Sequence, residues 1–200
     1  MLSLIGMGRL LGGDLEGGRR DIERVADLWP QDVGLFRSDR DRAFGWLAAE
    51  QGDLPRAREL MSAGAANAAA RGAHALEAML LHDVVRFGGA LTVAERLVDL
   101  GGRLQGELIA ARAAHAVGIV EADTDELTGV VAAFEHMGSP LLAAEAAVDL
   151  AVACRSHGDR AAAAAALTDA RRLRAMLDGP VVTVALADLD ANGDAVTSER

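Results

Sequence analysis

The chain has 200 residues, 51% of them hydrophobic and 25% charged, which describes a folded domain or repeat array with enough material for a core and excludes a disordered tail. Its 30 acidic residues outweigh 20 basic ones for a net charge of −10, so bare nucleic acid is excluded as a direct partner of this segment, phosphate binding needing a clustered positive field. Every base is arginine, since the sequence holds no lysine, and this excludes a Walker A loop, a Schiff-base lysine and a Ser-x-x-Lys nucleophile.

The opening MLSLIGMGRLLGGD lacks a basic stretch before its apolar run, carries Arg9 inside it and is too short to span a bilayer. Cys154 is the single cysteine and cannot form an internal disulfide, which fits a reducing cytoplasm and no membrane. With 42 alanines, no tyrosine and 3% aromatics, the core has to be made by close approach of small side chains.

In chain order, helices are predicted near 2–11, 19–28, 41–51, 55–71, 74–87, 91–100, 105–120, 124–137, 140–157 and 160–177. Asp53 before Pro55, Asp123 before Glu126 and Ser139-Pro140 mark starts. Gly72, Gly88, Gly138 and Gly179 mark stops. The segment WPQDVGLFRSDRD, Trp29 to Asp41, is the least regular and is expected to be an inter-repeat linker and hinge. The first helix begins at residue 2 with no polar capping repeat before it, so further repeats are expected ahead of Met1. After Gly179-Pro180 the tail 179–200 reads as a linker.

A turn signal recurs at Gly13-Asp14, Gly52-Asp53, Gly89-Ala90, Ala122-Asp123 and Gly158-Asp159, at spacings of 39, 37, 33 and 36 residues. Five residues after the turn stand Gly18, Ala57, Ala94, Leu127 and Ala163. Nine after it stand Ile22, Met61, Val98, Val131 and Leu167, all apolar. Eight before it come Ile5, Phe44, Leu81, Ala114 and Leu150, and seven before it Gly6, Gly45, His82, His115 and Ala151. Positions five and nine share one helical face. Each unit is therefore a helix, a short turn and a second helix, five hairpins over residues 1–178. The pattern resembles tetratricopeptide repeats, in which small residues let paired helices approach closely, and the expected fold is an all-α, right-handed solenoid.

The order of WLAAEQGDLPRARELM (46–61), LHDVVRFG (81–88), AFEHMGSPLLAAEAAVDLA (133–151) and RSHGDRAAAAAAL (155–167) is similar to the C-terminal helical-repeat region of large LuxR-type, MalT-like ATP-dependent transcriptional regulators. The closing AVTSER resembles the opening of that family's DNA-binding domain. The resemblance implies a cytoplasmic, non-catalytic sensor region whose partners are a protein, a peptide or a small-molecule inducer, with self-association left open. It implies no cofactor in this chain, ATP belonging to a module before it, and a helix-turn-helix domain beyond 200. The alternative is a stand-alone repeat scaffold that binds peptides.

If the first helix of each hairpin lines a groove, the residues ten, six and three before each turn face it. These include Arg42, Trp46, Asp83, Arg86, Arg112, Ile119 and Arg155, whose four arginines would suit an acidic or carboxylate-bearing partner. His82 and His115 occupy matched stations and read as core histidines, with a shared ligand or metal as the sharper alternative. Cys154 reads as a small apolar residue. Asp188, Asp190, Asn192, Gly193 and Glu199 match a calcium-loop pattern, against which Ala195 and the strand-favouring VVTV count. No metal is expected.

Overall fold

The computed structural model describes residues 2–28 and 37–177. Among these residues every regular element is a helix and no strand occurs. The elements are α1 (Leu2–Leu11), α2 (Leu15–Leu28), α3 (Arg37–Glu50), α4 (Leu54–Ala70), α5 (His74–Val84), a wide turn Val85–Gly89, α6 (Ala90–Arg103), α7 (Glu107–Glu121), α8 (Thr124–His136), α9 (Pro140–Ser156) and α10 (Arg160–Arg174). The all-α expectation is met. No helix among the described residues is long and apolar enough to cross a membrane.

Helix ends follow from the turn residues. The N–H groups of Asp14, Asp53, Ala73, Asp123, Ser139 and Asp159 each return to the carbonyl five residues back, the closure that puts the residue before them in the left-handed region. Glycine fills that station at Gly13, Gly52, Gly72, Gly138 and Gly158, whereas Ala122 adopts it at φ 52°. Starts are capped by carboxylates. Asp53 accepts from the Arg56 N–H at 3.0 Å, Asp123 from the N–H groups of Asp125 and Glu126 at 2.9 and 3.0 Å, and Asp159 from that of Ala162 at 2.9 Å. Ser139 makes no side-chain cap bond.

Three expectations are corrected. Helix α2 begins at Leu15 rather than 19, because Asp14 accepts the Gly17 N–H at 2.9 Å and starts the helix directly after the turn in spite of two glycines. Helix α3 begins at Arg37, inside the expected linker, because Ser38 is buried and donates to the Gly64 carbonyl of α4 at 2.9 Å. The third turn centres on Gly88, at φ 76°, rather than Gly89. That one-residue shift puts Val93 and Leu97, 6% and 0% exposed, at the fifth and ninth stations and leaves Val98 outside at 49%. Residues 29–36 of the expected hinge, and the tail with its calcium-loop match Asp188–Glu199, lie outside the described residues.

The described chain divides at Gly89/Ala90 into two compact units. In the first, α1 packs on α2 and α3, α3 on α4, and α4 on α5. In the second, α6 packs on α7, α7 on α8 and α9, α8 on α9, and α9 on α10. Small residues bring the paired helices together. A Cβ on Gly6 would stand 2.7 Å from Ile22 Cγ1, and one on Gly45 2.8 Å from Met61 Cε. Ala151 sits in one buried cluster with Ala163 and Ala166, and Leu167 packs against it.

Candidate functional site

Four of the seven groove residues converge in the first unit. Asp83, near the end of α5, is 1% exposed. From α3, Arg42 Nε donates to its Oδ2 at 2.5 Å and Trp46 Nε1 donates to the same oxygen at 3.4 Å. Arg86, one turn along the chain, donates from Nη1 to Oδ1 at 2.9 Å and lays its guanidinium 4.5 Å from the Trp46 ring centre, in cation–π range. Phe87 meets Trp46 edge-on at 4.8 Å. Arg58 of α4 donates to the Phe87 carbonyl at 2.8 Å and so holds the turn that carries Arg86.

The electrostatics follow from this placement. Burial by itself would push the Asp83 carboxyl up, but the charges and hydrogen bonds of Arg42 and Arg86 outweigh it and hold the group below its ordinary value. A carboxylate kept ionised and doubly paired is a poor proton acceptor, so the cluster suits the joining of α3 to α5 rather than acid–base chemistry. Arg42 and Arg86 thus carry an internal carboxylate in the place where a partner's carboxylate was expected.

The other three groove residues belong to the second unit. Arg112 and Ile119 lie half-buried on α7, and Arg155 is exposed on α9. His115, also on α7 and 1% exposed, shares a hydrogen bond of 2.9 Å between its Nε2 and Asp149 Oδ2 on α9. Its ring meets Phe134 of α8 edge-on at 5.9 Å. With the turn at Gly88, His82 stands six residues before its turn and His115 seven before Ala122, so the matched stations expected of them are not matched. Each is a buried histidine, and no group of three His, Cys, Asp or Glu among the described residues is placed to hold a metal ion. Cys154 is buried beside Ala151, Ala163 and Ala166.

The sequence reading missed the partners Asp149 and Arg58. A usable signal existed for the first: His115 and Asp149 are 34 residues apart and the ion-paired Glu135 and Arg172 are 37 apart, one repeat period in each case, as expected of complementary groups on neighbouring hairpins. Set against models of protein families, against curated proteins and against solved structures, the chain has no match.

Proposed function

We propose that the chain is a non-catalytic interaction and sensor module, built of tetratricopeptide-like hairpins stacked into a right-handed solenoid. In this reading it works in the cytoplasm within a LuxR-type transcriptional regulator and couples the binding of a signal to the binding of DNA. The observation that carries it is the seam of small against large residues between paired helices, Gly6 on Ile22 and Gly45 on Met61. That is the packing a hairpin repeat needs. Further support comes from side chains that tie the first helix of one hairpin to the first helix of the next, Arg42 to Asp83 and His115 to Asp149. A ligand that prefers one packing of such a stack shifts the population toward it, and no catalytic step is required.

The regulator half of the proposal is supported by the order of the sequence motifs between 46 and 167. The reading frame on either side of this segment tests it. A P-loop module upstream, where ATP would bind, and a basic helix-turn-helix downstream are the expected result. A frame that contains neither overturns the regulator and leaves a stand-alone scaffold that binds peptides.

A further inference from the structure

Helix α1 is apolar on both sides. Toward α2 and α3 it buries Ser3, Gly6, Met7 and Leu10. On the opposite side, at about 100° per residue, Leu4, Ile5, Gly8, Leu11 and Gly12 share an arc of about 120°. Leu4 and Ile5 are 52% and 44% exposed, and a Cβ added to Gly8 would meet nothing within 4 Å. A helix at a protein surface carries polar residues on its outer arc, and one that is apolar all round is buried. Nothing among the described residues covers this arc.

The charges say what can approach it. Helix α1 is the one helix among the described residues that carries no Asp or Glu. In a chain of net charge −10, it is where two copies can meet without setting carboxylate against carboxylate. Its single charged residue, Arg9, lies outside the arc and turns to Asp21 at 2.8 Å.

We infer that this face pairs with the same face of a second copy, α1 lying antiparallel to α1 about a two-fold axis at Gly8. The spacing is self-complementary. Such an axis sets Gly8 against the partner's Gly8, Ile5 over the partner's Gly12 and Leu4 beside the partner's Leu11. A large side chain thereby enters a glycine slot twice, as Ile22 does at Gly6 inside the first hairpin. The antiparallel setting also brings opposite ends of the two helix dipoles together. A ten-residue helix is about 15 Å long, so the contact covers less than the roughly 1,200 Å² of stable interfaces. The dimer is accordingly weak and reversible, with a Kd on the order of 100 µM. A lipid surface fits less well, because Asp14 and Asp21 stand beside Arg9 at the edge of the arc and repel anionic headgroups.

Sedimentation equilibrium of the whole chain tests the pairing. The mass should rise from 20.8 kDa toward twice that value between about 10 µM and 1 mM. Ile5→Glu, at an exposed position, should weaken association at least about tenfold. Leu91→Glu adds the same charge at a residue of α6 that is 81% exposed and should leave association within about twofold. Gly8→Leu adds no charge and fills space that is open in the single chain, so it should keep the fold, block the close approach and weaken association at least about tenfold. Circular dichroism checks that each variant remains helical. A chain that stays monomeric at about 1 mM overturns the inference and gives the face to a different occupant. Undiminished association of Ile5→Glu or of Gly8→Leu overturns it too, as does an equal loss in Leu91→Glu, which would mark net charge rather than this face. The series bears on α1 and the flanking reading frame bears on the regulator, so the two can fail separately.

Discussion

Asp83 concentrates much of what holds the first unit together. Its carboxylate answers two guanidinium groups and an indole N–H at 2% side-chain exposure, and removing one member of such a buried set leaves the others uncompensated. Asp83→Asn should therefore destabilise the protein by about 3–5 kcal/mol in chemical denaturation. Because the folded carboxyl lies below its ordinary value, the stabilisation is complete above about pH 4 and is lost as the pH falls through the lower folded value. The gap between wild type and Asp83→Asn should hold constant from pH 7 to pH 5 and close only in stronger acid; a gap that closes between pH 7 and pH 5 would contradict the lowered carboxyl. The seven groove residues were legible only as stations ten, six and three before each turn. Their pairing was not, because Arg42 and Asp83 are 41 residues apart and only the packing of α3 beside α5 brings them within reach.

At the scale of the element, the turns offer a direct comparison. Ala122 takes the left-handed station that glycine fills in the other hairpin turns, and its Cβ makes that conformation cost about 1–2 kcal/mol. Ala122→Gly should raise stability by about 1 kcal/mol, part of the relief being offset by the freer unfolded chain. Thermal melting would show it, and a lower Tm would refute it. The two seam glycines should behave differently. A methyl on Gly45 meets chiefly the flexible end of Met61, which can swing aside, so Gly45→Ala should be within about 1 kcal/mol of neutral once helix propensity is added. A methyl on Gly6 meets Ile22 at 2.7 Å and the Gly18 carbonyl at 3.0 Å. Neither can yield, and Gly6→Ala should cost about 1–3 kcal/mol in the same assay. The ten helices among the described residues were each legible as a helix, because caps and left-handed stops act over a few residues. Boundaries moved where a local signal was overlooked, as with Asp14 capping α2, or where a tertiary bond prevailed, as with Ser38 reaching α4.

At the scale of the whole molecule, each unit has its own core, with Ile22, Met61 and Leu80 fully buried in the first and Leu127, Phe134 and Leu173 in the second. If the proposed hairpin repeats hold, stability is a sum over neighbours. A fragment of residues 90–177 should accordingly fold alone, with helical circular dichroism and a cooperative melt; a featureless melt would show that it needs the first unit. The sequence by itself determined the helices, the turns and the small-against-large seam within a hairpin, since all of these depend on residues about sixteen or fewer apart along one chain segment. Tertiary structure decided which charges meet, Arg42 with Asp83 and His115 with Asp149. Those outcomes depend on how one helix lies against another a full repeat away, and small side chains permit that approach without dictating its register.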